Sequence, residues 1–134
     1  MMDELDRKIL GILEQDARTP FMEIGRQVGV SEATVRNRVK SLLGSGQIEK
    51  FTIVRPTKER MMAIVLVSTL SKLTHEIANK IKKMENVKSV YEVSGDFDII
   101  CIIEADVVEE LNRSVDSIRR IEGVRKTVTN LILK

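Results

Sequence analysis

Between residues 31 and 41 the chain sets out Ser31, Ala33, Thr34, Arg36, Asn37, Arg38, Lys40 and Ser41. Long cationic side chains reach phosphates or base edges, and small polar ones let a helix approach the floor of a groove. This is chemistry suited to double-stranded DNA. The charge distribution marks the same stretch. Residues 31–60 carry seven basic side chains (Arg36, Arg38, Lys40, Lys50, Arg55, Lys58, Arg60) against three acidic ones, while residues 1–30 carry four against six and residues 61–134 eleven against eleven. A net charge of +2 therefore conceals a local basic excess, the distribution a phosphate-contacting surface needs and also one a solvated run of lysines and arginines produces.

Other chemistries are poorly provided for. No nucleophile and base stand together, no glycine loop is spaced to cradle phosphate, and no metal-ligand cluster occurs, so no catalytic residue, metal or cofactor is expected. Cys101 is the only cysteine and His75 the only histidine, too few for a disulfide or a structural zinc site. Cys101 reads as a small buried hydrophobe, His75 as solvated, and Met61-Met62 as core or interface. No apolar run approaches the roughly 18 residues of a membrane span, and the start Met1-Met2-Asp3-Glu4 is acidic where a signal peptide is basic; a cytoplasmic protein is expected.

The elements that must position the basic stretch are legible from periodicity. Leu5, Ile9, Ile12 and Leu13 make a helical stripe that starts behind Asp3, with Asp6 in its first turn, and ends near Gln15. Thr19-Pro20 reads as an N-cap and first helical residue for a short helix with Phe21, Ile24 and Val28 inward. Gly29-Val30 turns the chain into Ser31, the cap of a third helix from about Glu32 to Leu43 whose Val35, Val39, Leu42 and Leu43 face inward. At about 100° per residue Asn37 lies opposite that stripe, with Ala33, Lys40 and Ser41 beside it and Arg36 and Arg38 at the borders. Short helix, glycine turn and capped helix form a helix-turn-helix, whose second helix enters the major groove. The same trihelical unit can also serve protein contacts. Gly44 and Gly46 release the chain into Ile48–Val54, read as a strand acting as wing or connector that ends at Pro56.

Residues 61–70 are too continuously apolar for a strand with one face in water and read as a strand buried on both sides. Thr74 caps a helix with Ile77, Ile81 and Met84 inward; Val87–Val93 and Phe97–Ile103 flank a Ser94-Gly95-Asp96 turn as a hairpin; Val108, Leu111, Val115 and Ile118 make another helical stripe; Val124–Leu133 closes the chain as a strand. Met84-Glu85-Asn86-Val87-Lys88 repeats as Ile121-Glu122-Gly123-Val124-Arg125, with Asn or Gly where each helix stops in a left-handed cap. The expected fold is α+β: a (winged) helix-turn-helix over residues 1–47, a connecting strand or linker over 48–60, and a ferredoxin-like βαββαβ domain over 61–134. Two small domains need help to be stable, and a four-stranded sheet with helices on one face needs a cover on the other. A homodimer through that face is the simplest arrangement.

Across nearly its whole length the sequence resembles the leucine-responsive regulatory protein (Lrp/AsnC, feast/famine) family of transcription regulators. The resemblance rests on Leu5-Asp6-Arg7-Lys8-Ile9-Leu10, Gly29-Val30-Ser31, Thr34-Val35-Arg36-Asn37-Arg38-Val39-Lys40, Gly46-Gln47-Ile48 and Gly95-Asp96-Phe97-Asp98. It implies a winged-helix DNA-binding domain joined to a sensing domain that dimerises and often assembles into tetramers or octamers. It also implies an amino-acid effector bound between dimers near the turn after the second strand of the sensing domain. Carried onto this sequence, that points to Gly95, Asp96 and Asp98, with Tyr91, Thr127 and Thr129 contributing. The same Gly-Asp pair also suits an ordinary hairpin turn. The expectation is a DNA-binding regulator modulated by a small molecule; a metabolite-binding subunit of an enzyme and a ligand-independent architectural protein are the alternatives.

Overall fold

The computed structural model describes residues 1–56 and 60–133. It divides into two compact units, Met1–Val54 and Arg55–Lys134. Part of the expected connector, and Lys58 of the basic stretch, lie outside the described residues.

The first unit holds α1 (Glu4–Gln15), α2 (Phe21–Val28) and α3 (Glu32–Gly44). Their stripes converge on a core of Ile9, Leu13, Ile24, Val35 and Val39. Asp3 caps α1 and takes part in a reciprocal box with Asp6: the Asp6 amide donates to Asp3 Oδ1 (2.9 Å) and the Asp3 amide to Asp6 Oδ2 (3.1 Å). Pro20, not Thr19, is the N-cap of α2, because the Thr19 hydroxyl is spent on the Asp16 carbonyl (2.8 Å). Leu43, expected inward, is 42% exposed. Ile48–Val54 forms no strand, since it finds no ladder partner among the described residues. Only Ile48 of that segment packs on the core, while Phe51, Ile53 and Val54 stand exposed.

The second unit runs β1 (Met61–Thr69), a 3₁₀ turn (Ser71–Leu73), α4 (Thr74–Lys82), β2 (Val87–Glu92), β3 (Ile99–Ala105), α5 (Val108–Arg119) and β4 (Val124–Leu131). The strands form one antiparallel sheet in the order β2-β3-β1-β4. The helices cover one face, where Ala63, Val65, Val67, Ile99, Cys101 and Ile103 meet Ile77, Ile81, Leu111, Val115 and Ile118. Thr74 does not cap α4; its hydroxyl bonds that of Thr69 at 2.6 Å, and Leu73 takes the cap position. Val108 is exposed rather than part of the α5 stripe. Each helix returns to a strand through a left-handed residue, Asn86 (φ 70°) and Gly123 (φ 96°), as the internal repeat predicts.

β1 is buried on one side only. Its residues alternate between buried (Ala63, Val65, Val67) and half-exposed (Met62, Ile64, Leu66). Across the uncovered face the register lines up Tyr91, Ile100, Leu66 and Val128 in one row and Ser89, Ile102, Ile64 and Asn130 in the next. Among the described residues of this unit, nothing covers this apolar band. Cys101 lies beneath the helices, and burial pushes its thiol up to about 11.

Candidate functional site

Three conditions place α3. Ser31 sits in extended backbone and its hydroxyl accepts the Thr34 amide at 3.1 Å, which fixes where the helix starts. The turn before it is tight. Gly29 takes a left-handed conformation (φ 78°), and the Gly25 carbonyl accepts both the Gly29 and Val30 amides, at 2.8 and 2.9 Å. Gly25 itself is buried where a Cβ would come within 2.5 Å of the Val30 carbonyl oxygen. Val35, Val39 and Leu42 then hold one side of α3 in the core.

The other side is open to solvent. Ser31, Ala33, Arg36, Asn37, Lys40 and Ser41 are exposed, and Thr34 is half-buried behind the cap, where its hydroxyl lies 2.9 Å from that of Ser31. Arg36 pairs with Glu32 one turn back on its own helix, both side chains in water. An exposed i,i+4 pair of this kind contributes only about 0.3–0.5 kcal/mol and is readily exchanged for a phosphate. Arg38 is placed differently. Its guanidinium turns to α1 and bridges Asp3 and Asp6, the latter at 3.2 Å, and hydrogen bonding from it holds the Asp3 carboxyl below the usual carboxylate range. The cap at Asp3 was readable from its position before the stripe; the second use of both carboxylates was not, because their partner lies more than thirty residues away.

In the second unit the six expected effector residues fall into two groups. Gly95 (φ 131°) and Asp96 are exposed in the turn between β2 and β3. Asp98 closes that turn: its Oδ2 accepts the Thr69 amide at 2.8 Å and its own amide donates to the Val67 carbonyl at 2.9 Å. Thr127 pairs with Val67 from the other side, so it reaches the same end of the sheet, and its hydroxyl accepts Arg119 Nε at 2.9 Å. Thr129 follows two residues along β4. Tyr91 is on the opposite, uncovered face, 57% exposed. A single chain thus gathers Gly95, Asp96, Asp98 and Thr127 at one corner and leaves Tyr91 across the sheet. A cleft of about 780 Å³ between the end of α4 and α5 is lined by residues such as Met84, Asp106, Glu110 and Arg113 and includes none of the six.

Residues 2–43 match the AsnC-type helix-turn-helix domain, and residues 62–134 match the Lrp/AsnC ligand-binding domain. The chain belongs to the Lrp/AsnC family. Among its relatives, the HTH-type transcriptional regulator LysM of Saccharolobus solfataricus is 41% identical over 99% of this chain and 94% of its own length. The HTH-type transcriptional regulator LrpA of Pyrococcus horikoshii is 41% identical, covering 100% of this chain and 98% of its own. The family fold extends to solved structures. The Mycobacterium tuberculosis leucine response regulatory protein superposes with a TM-score of 0.87 at 23% identity, over 99% of this chain and 93% of that one. Regulator NMB0573 of Neisseria meningitidis, solved as a complex with L-Met, gives 0.81 at 21% identity, over 100% and 91%. The Lrp/AsnC chain described here joins a helix-turn-helix unit to a unit built on a four-stranded sheet. Among the described residues no helix is long and apolar enough to cross a membrane.

Proposed function

We propose that this Lrp/AsnC protein is a cytoplasmic, sequence-specific DNA-binding regulator that works as a dimer or larger assembly and answers to an amino acid. The observation that carries the reading is the exposed row Ala33, Arg36, Asn37, Lys40 and Ser41 on a helix whose opposite side is locked into the core. In this reading α3 enters the major groove, Asn37, Ala33 and Ser41 meet base edges, and Arg36, Lys40 and the Ser31-Thr34 end meet phosphates. Two chains pair through the uncovered sheet faces, burying the Leu66 and Ile64 rows, and dimers assemble further into tetramers or octamers. The pairing sets two recognition helices for half-sites one helical turn apart, about 10 bp, or a multiple.

Salt dependence tests the DNA interface. Each neutralised phosphate adds about 0.9 to the steepness of log affinity against log salt. Arg36→Ala and Lys40→Ala are each expected to flatten the slope by about that amount and to weaken binding to all duplexes alike. Asn37→Ala is expected to weaken the preferred duplex selectively, by about 1–3 kcal/mol. Unchanged slopes in both cationic variants would move the interface off this face.

The amino-acid reading is supported by the family's ligand-binding domain and by the L-Met complex of a neighbour of the same fold. The Gly95-Asp96 corner offers a carboxylate for an α-ammonium group and a glycine that permits close approach. Since no single chain encloses that corner together with Tyr91, the pocket is completed by a second copy. Thermal unfolding in the presence of each of the twenty amino acids identifies the effector: at about 100 times its dissociation constant, stabilisation of about 2.7 kcal/mol is expected. If none of the twenty stabilises the protein, the regulator is ligand-independent.

A further inference from the structure

We propose that Arg38 is a positioning residue for DNA recognition and not a DNA contact: bridged to Asp3 and Asp6, it fixes the direction in which α3 leaves the core. The proposal rests on the reading of α3 as the DNA-binding helix. The bridge uses every carboxylate oxygen of the α1 cap. Asp3 gives Oδ1 to the Asp6 amide and Oδ2 to Arg38; Asp6 gives Oδ2 to the Asp3 amide and Oδ1 to Arg38. The capping box and the ion pair are thus one structure. It ties the first turn of α1 to the middle of α3, across more than thirty residues of sequence.

Arg36 and Arg38 differ in what their release leaves behind. Arg36 can swing to a phosphate and leave Glu32 hydrated. If Arg38 swings away, it strands Asp6, which is only 8% exposed, and a buried carboxylate without its cation is costly. Arg38 itself is 35% exposed on its side chain, against 58% for Arg36. The apolar core between α1 and α3 is small, Ile9 and Leu13 against Val35 and Val39, and such aliphatic contacts resist sliding poorly because they are non-directional. Two charge-assisted hydrogen bonds donated by one guanidinium to the Asp3 and Asp6 carboxylates supply the direction.

Asp3→Asn separates the two roles. Asparagine caps a helix as well as aspartate does, so α1 keeps its start while the bridge loses a charge. A DNA-contacting Arg38 freed from Asp3, on a protein with one less negative charge, binds as tightly or more tightly. A positioning Arg38 gives weaker binding, about tenfold for the preferred duplex, on the scale of one misaligned base contact. The full chain, its Asp3→Asn, Arg38→Ala and double variants are titrated with a random-sequence duplex and with the tightest duplex the wild type selects from it, well below the unfolding temperature of each. Expected are a loss of preference for the selected duplex in both single variants, and a double variant no worse than Arg38→Ala alone. An Asp3→Asn variant that keeps wild-type affinity and preference, or a double variant in which the two single effects add in full, overturns the proposal. Wild-type protein that binds neither duplex overturns the DNA reading itself, which the unsubstituted chain shows without any variant.

Discussion

Leu66→Glu is expected to leave the protein folded, monomeric and unable to hold paired half-sites. Leu66 is the middle of the apolar row Tyr91, Ile100, Leu66 and Val128, and its side chain points away from the helices, so the single-chain core is untouched. In a two-fold dimer every substitution enters twice. Burying each carboxylate costs several kcal/mol, and about 1.4 kcal/mol is a factor of ten in dissociation. The dimer dissociation constant is therefore expected to rise by more than about a hundredfold. Sedimentation equilibrium of Leu66→Glu beside the volume-conserving Leu66→Met measures it. A Leu66→Glu protein that sediments as the wild type does would overturn the proposed pairing through this face.

Gly25→Ala has the second large effect, and its sign is informative. In an open helical position, replacing glycine by alanine stabilises by about 0.5–1 kcal/mol, and Gly11 in α1, where an added methyl would meet nothing within 4 Å, is such a position. At Gly25 the same methyl meets the Val30 carbonyl oxygen at 2.5 Å, backbone that has no rotamer to escape into. Overpacking of this kind costs about 1–3 kcal/mol or more. A small unit such as Met1–Val54 has only a few kcal/mol to lose, about 0.05–0.15 per residue. Each kcal/mol lowers the midpoint of a 60–100-residue domain by about 4–8 °C. Calorimetry is expected to show the first unit's transition lowered by about 10 °C or more in Gly25→Ala and slightly raised in Gly11→Ala, with the second unit unmoved. Equal shifts in the two variants would mean that the turn before Ser31 is looser than its hydrogen bonds indicate.

Both substitutions exploit features that differ in how openly the sequence displays them. The stripes of α1, α2 and α3, the Ser31 cap and the succession of strands and helices along the second unit are legible because each depends on residues three, four or two positions apart. The left-handed corners at Asn86 and Gly123 are legible because they recur in a repeated pentapeptide. What stays hidden depends on partners distant in the chain. Arg38 looks as available as Arg36 on a helical wheel, and only the fold brings α1's carboxylates to it. Asp98 looks like a free ligand group, yet it holds the end of β1 through the Thr69 amide. Ile48–Val54 has the composition of a strand and forms none, since a strand is a property of a pair. The continuous apolar run of β1 signals burial on both faces, while one chain supplies cover for only one of them. The pairing of two chains proposed above would supply the missing cover.

The lone thiol has a practical corollary. Cys101 lies in the central part of β3 with no exposed surface, and the first unit contains no cysteine. A thiol-specific reagent can therefore react only when the second unit opens around β3, whatever the state of the helix-turn-helix unit. The labelling rate becomes a clock for the opening of one half of the molecule, read in the full chain and in the presence or absence of DNA and amino acid.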